Sequence, residues 1–148
     1  MIPRHTAAWA LLIGLLGTAC GGGTTRRQPE QPAVDTSRLQ TMNLGTEFFE
    51  AGATDTIRFG RLFSGEIARL QFRIANRSDR PTAIHSYERN CGCTTLEFQK
   101  EPIAPGAAQT VGITFDSRGT RGWQLKIVEI RMAGGRKPLK IFVEAEVE

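Results

Sequence analysis

A chain of 148 residues, 40% of them hydrophobic, is long enough for one ordinary domain with little left for a second. Its formal charge of +4 comes from cations spread along the whole chain, with only Arg26–Arg27 near the start and Arg136–Lys137 near the end as adjacent pairs. Nucleic-acid binders concentrate charge on one face or arm, often beside stacking aromatics, so no nucleic-acid partner is expected.

The first element in the chain is a targeting segment. Arg4 and His5 precede an apolar run from Ala7 to Leu16. That run is shorter than the about 20 residues a membrane-spanning helix needs, and it reads as the hydrophobic region of a secretory signal. Gly17, Thr18 and Ala19 before Cys20 resemble the lipobox of bacterial lipoproteins, in which the cysteine is lipidated and becomes the new N-terminus. The pattern departs at Gly17, where a large apolar residue is usual and Leu16 stands one place early, so plain cleavage near Ala19 is the alternative. Residues 1–20 are therefore expected as a lipoprotein signal peptide and Cys20 as the lipidated residue. The chain would be exported to the cell envelope and lipid-anchored, with a membrane and an unidentified envelope protein as partners. Gly21, rather than Asp, after the cysteine favours the outer membrane, facing the periplasm, under the sorting rules of some diderm bacteria.

Residues 21–45 are rich in Gly, Thr, Gln and Pro and offer little to a core, so they read as a flexible linker. From about Gly45 the texture changes to short runs of period two bounded by Gly, Pro, Asn and Asp, placing a domain over 46–148. Strands are expected over Asp55 to Phe59, Ile67 to Ala75, Thr82 to Tyr87, Thr94 to Phe98, Gln109 to Phe115, Gln124 to Met132 and Leu139 to Val147. No segment carries a sustained helical stripe. About seven antiparallel strands with regular turns imply an all-β, immunoglobulin-like sandwich, with a small barrel as the alternative. The alternation places Leu70, Phe72, Ile74, Ile113, Phe115, Ile127 and Ile141 between the sheets.

A set of ordered motifs carries a family resemblance. Phe59-Gly60, Gly65-Glu66, Phe72 with Asn76, Cys91-Gly92-Cys93-Thr94, Pro102-Ile103 with Pro105-Gly106, Phe115-Asp116-Ser117 and Gly119 with Gly122 together resemble the bacterial family catalogued as domain of unknown function 1573. The resemblance runs from about Phe59 to Val147. It implies an immunoglobulin-like domain related to the Hydin/ASPM type, often exported or lipid-anchored, and it implies no catalytic residue. Ser78 stands where the family usually has Gly, and Leu96 where proline is common.

The residues able to carry chemistry are few. With Cys20 assigned to lipid, Cys91 and Cys93 remain as a pair, open to three readings: a local disulfide clip or packed thiols, a redox couple, or metal ligands. Extended backbone would put their α-carbons about 6.6 Å apart, near the upper limit of disulfide geometry at about 6.8 Å, so a bend is required, and Gly92 is placed to supply it. His85, the one histidine outside the signal, is a weak third ligand for Cu(I) or zinc beside the two thiolates. Glu88, Glu97 and Asp116 are the carboxylates a hydrolase would need, but a compact sandwich has no long insertion to form a cleft around them, and Asp116-Ser117 reads as a turn. Trp123 reads as a core or rim aromatic, with a ligand-facing platform as the alternative. The reading is a non-enzymatic interaction or structural module without a cofactor. The alternative is a thiol redox or Cu(I)-handling protein using the CGC motif.

Overall fold

The computed structural model describes residues 39–148. The expected signal, the lipidation at Cys20 and most of the linker lie outside the described residues. The element order is β1 (Thr41–Leu44), α1 (Phe48–Ala51), β2 (Ala53–Leu62), β3 (Ile67–Asn76), β4 (Ile84–Arg89), β5 (Thr94–Glu97), β6 (Ala108–Asp116), β7 (Gly122–Met132) and β8 (Leu139–Val147). Two four-stranded sheets, ordered β1-β3-β6-β5 and β2-β8-β7-β4, pack face to face as an immunoglobulin-like sandwich.

Several expectations need correction. The described residues hold eight strands rather than seven, because β1 lies within the stretch read as linker. Met42 and Leu44 are buried in the core, so the linker expected to reach position 45 ends before Thr41. A two-residue apolar signal beside a polar tether is too short for periodicity to reveal. The sheets are also mixed: β1 pairs with β3 and β2 with β8 in parallel, and the other pairings are antiparallel. Helix α1 is a single turn, with no stripe to detect, and it buries Phe48 and Phe49.

The core follows from strand register. In an antiparallel pair, partners share a face, so β6 positions 109, 111, 113 and 115 set the inner positions of β3. Phe72, Ile74, Ile113, Phe115 and Ile141 are all buried as the alternation implied. Ile127 is not an inner residue. Ile141 lies opposite Val128, so the inward set of β7 is Val128, Ile130 and Met132, while Ile127 faces outward beside Phe142. Both faces of β7 are apolar in sequence, and only the pairing decides between them. Leu70 does face inward opposite Ile113, yet it is 37% exposed. β1 reaches only Arg73–Asn76 of β3, so it does not extend alongside Leu70 on the side away from β6.

In β2 the register shifts between Arg58 and Gly60. The extra residue, Phe59, turns its ring against Phe115 of the other sheet at 5.8 Å between centroids. Gly60 sits at φ 74, the left-handed backbone a glycine bulge uses.

Truncating Phe72 to Ala should cost about 3 to 5 kcal/mol, while Leu70→Ala should cost less than about 1 kcal/mol. Equilibrium urea unfolding measures both, and equal losses would show that the exposed and buried positions of β3 are assigned wrongly.

Candidate functional site

The β2–β3 turn, the β4–β5 loop, the β6–β7 loop and Glu148 gather at one end of the sandwich, because Leu62 pairs with Val147, Val147 with Gly122, and Ile67 with Asp116. The cysteine motif lies in the β4–β5 loop of this end. Cys91 and Cys93 form a disulfide with α-carbons 5.3 Å apart. The bend that brings them together does not use left-handed backbone. Gly92 is absent from the positive-φ glycines, and an added β-carbon there would meet nothing within 4 Å. The bend is instead held from outside the motif. Asn90 N donates to Ile127 O at 3.1 Å, and Ile127 N donates back to Asn90 Oδ1 at 2.9 Å. Arg89 Nη1 donates to Thr94 O at 2.7 Å, and Asp116 N donates to Cys93 O at 2.8 Å. Thr94, fully buried, turns its hydroxyl to within 3.6 Å of Cys91 Sγ. The disulfide thus closes a loop that four hydrogen bonds already position.

The structure does not bring His85 to the cysteines. His85 is the extra residue of a bulge where the β4 register shifts between Ile84 and Ser86, which leaves its side chain exposed. Cys91 is six residue steps further along the chain, beyond the end of β4 at Arg89, about 20 Å at the usual strand rise. Among the described residues no group of three or more His, Cys, Asp or Glu is placed to hold a metal ion.

Each of the three candidate carboxylates faces a different arginine. Arg131 Nε donates to Glu88 Oε1 at 3.0 Å. Arg69 Nη2 reaches Glu97 Oε1 at 3.1 Å, joining β3 to β5 across the intervening β6. Asp116 accepts from the Arg118 guanidinium, with Nε at 2.9 Å, and from Arg118 N at 3.0 Å. The side-chain and backbone hydrogen bonds from Arg118 hold the Asp116 carboxyl below its ordinary value. This is the turn geometry expected for Asp116-Ser117. Beyond it, Ser117 is fully buried, and its hydroxyl bridges Phe63 O at 2.8 Å and Glu66 O at 2.9 Å, fastening two loops together.

A polar cleft of about 560 Å³ lies between β6 and the 98–103 segment. Gln71, Glu97, Gln99 and Gln109 line it. Glu97 is already paired with Arg69, and Gln109 Nε2 donates to Gln99 O at 2.6 Å. Trp123 is neither core nor covered, at 62% exposure on the outer face of β7. Alternation could not choose between rim and core for it, because it stands second in β7, a strand with apolar residues on both faces.

Comparison with solved structures agrees with this architecture. A protein of unknown function from Porphyromonas gingivalis W83 is 21% identical with a TM-score of 0.52, over 62% of this chain and 43% of that one. The VesB protease of Vibrio cholerae is 14% identical with a TM-score of 0.51, over 62% of this chain and 30% of that one. The ASH/PapD-like domain 7 of human CEP192 is 13% identical with a TM-score of 0.50, over 63% of this chain and 80% of that domain. These likenesses concern the fold. The chain spans less than half the length of the first two proteins. No curated protein matches it in sequence. Its motifs do find a family: residues 51–147 match the one described as Protein of unknown function (DUF1573), and the chain belongs to that family.

Proposed function

We propose that this chain is an exported cell-envelope protein, held by a lipid on Cys20 at the periplasmic face of the outer membrane, where its sandwich acts as a non-enzymatic interaction module. The observation that carries the non-enzymatic reading is that each candidate chemical group is already engaged locally. Glu88, Glu97 and Asp116 pair with three separate arginines, and Cys91 pairs with Cys93. A general acid or nucleophile needs a partner that tunes it and open space for substrate, and these groups lie on separate strands, each tied to its own partner. The anchor reading is supported by the apolar run and the small residues before Cys20.

Metabolic labelling with a fatty-acid probe should mark the wild-type protein and leave Cys20→Ala unmarked. Equal labelling, or recovery of the wild type in the soluble fraction, would contradict the anchor.

A second reading, a thiol redox couple, is favoured by one observation: both cysteines remain partly exposed at the end of the sandwich, within reach of an external dithiol. Copper(I) binding would require the reduced pair, because a disulfide offers no thiolate. The chain-entropy model assigns a loop this short only about 1.6 kcal/mol at 25 °C. The Cys91→Ser, Cys93→Ser double variant should therefore keep cooperative unfolding and lose no more than about 2 kcal/mol. Intact mass after alkylation should count both thiols only once reductant is added. A reduction potential below about −300 mV with no Cu(I) uptake keeps the pair structural, and one near about −200 mV transfers it to redox exchange.

A further inference from the structure

The outer face of the β2-β8-β7-β4 sheet carries two large apolar side chains in water, Phe63 at 75% exposure and Trp123 at 62%. That they share this face follows from register. Val143, Ala145 and Val147 of β8 point into the core, so Glu144 and Glu146 point outward, and with them their partners Arg58, Arg61, Leu125 and Trp123. Glu148 N donates to Leu62 O and Ser64 N donates to Glu148 O, both at 2.9 Å. These two bonds carry the parallel β2–β8 pairing one step further and set Phe63 beside Glu148 on the same outer face. Leu125, 38% exposed, stands at the next outward position of β7 after Trp123. Single exposed apolar residues need no explanation, but a group on one sheet face marks a contact surface.

A hollow of about 220 Å³ opens on this face, walled by Trp123, Gly60, Glu144 and Glu146. Gly60 helps to keep it open, since a β-carbon there would meet nothing within 4 Å. Charge indicates what fits. The outward positions 144, 146 and 148 of β8 are all glutamate, and β2 sets Arg58 and Arg61 against them. Arg58 Nε reaches Glu144 Oε2 at 3.0 Å. Arg61 stands opposite Glu146 by register, yet its guanidinium turns to Glu148 at 3.4 Å. Among the described residues Glu146 is thus left without an ion pair, and three carboxylates face two cations. On its other side Glu146 lies directly opposite Trp123, where cross-strand β-carbons are about 5 Å apart. The face of an indole ring is itself negative and attracts cations. The surplus carboxylate and the ring therefore favour the same guest.

We propose that this hollow seats a lysine or arginine side chain of a protein partner, its charge against Glu146 and over the Trp123 ring, while apolar neighbours in the partner cover Phe63 and Leu125. The inference rests on the interaction-module reading, to which it gives a partner of stated chemistry, and it does not depend on the lipid at Cys20. Aromatic anchors with one charged contact beside them are the usual centre of a protein interface. Glu146 is exposed, so its part of the attraction is screened by salt and the contact weakens as ionic strength rises.

The test uses the full chain carrying Trp9→Phe, which leaves Trp123 as its only tryptophan. The probe is a synthetic linear peptide with one arginine between two leucines, compared with a twin in which citrulline, an uncharged isostere, replaces the arginine. The proposal predicts a saturable change in Trp123 emission with the arginine peptide and about tenfold weaker binding of the citrulline twin at low salt. That gap should narrow at high salt and close in Glu146→Gln, a substitution at an exposed position. Equal affinity for the two peptides, no emission change with either, or a gap that survives Glu146→Gln would overturn the proposal. An emission change that follows protein concentration with no peptide present would assign the hollow to a second copy of the chain and overturn it as well. Peptide recovered intact leaves the interaction-module reading in place in each of these cases, whereas cleaved peptide would overturn that reading separately.

Discussion

A single buried carboxamide ties together the end of the sandwich opposite the cysteines. Asn76 has no exposed surface, yet all its polar atoms are used. Nδ2 donates to Arg80 O at 2.8 Å and Ile103 O at 2.9 Å, while Oδ1 accepts from Ser78 N at 3.0 Å and Ser78 Oγ at 2.6 Å. Its backbone N donates to Ala107 O, and its carbonyl accepts from Gly106 N. The residue thereby joins the end of β3, the turn into β4 and the segment that feeds β6. Leaving one of these groups unpaired in the interior would cost about 1 to 3 kcal/mol, and several would be orphaned together. Nearby, Phe48 and Phe49 plug the same end, with the Arg80 guanidinium 3.9 Å above the Phe49 ring.

Much of this was legible in the sequence, and the reasons for the exceptions are local. Alternation identified seven of the eight described strands, and the inward residues of β3, β6 and β8, because each of these three has one clearly apolar face. It failed at β7, where Ile127 and Val128 are equally apolar and only the pairing with Ile141 orients the strand. It missed β1, whose two inward residues Met42 and Leu44 directly follow a polar stretch, and α1, which is a single turn. Asn76 was legible only as part of a motif with Phe72, since its role as a buried hub depends on Ile103 and on Gly106–Ala107, far along the chain. The cysteine pair was legible from its spacing. What holds it was not, since Arg89, Asn90 and Asp116 act through strand register. The same holds for the arginine partners of Glu88 and Glu97, which lie on other strands.

The two ends of the sandwich therefore differ in kind. One is sealed by aromatic side chains and a saturated polar hub. The other is equally well fastened, by Ser117 and the Asn90–Ile127 pair, yet it leaves Phe63, Ile67 and Trp123 in water. Rigid loops that hold apolar side chains outward suit a surface that must be ready to make contact without first being ordered. Chemistry on this fold would require groups that converge, and here the carboxylates are separated onto β4, β5 and β6, each with its own cation.

The measurement that bears most directly on this asymmetry is site-specific photo-crosslinking in intact cells, with a diazirine amino acid placed in turn at Phe63 and at Lys100, which is exposed in the loop at the opposite end. The account predicts crosslinked adducts from position 63 and none from position 100. Adducts from position 100 alone, or none from position 63, would contradict it.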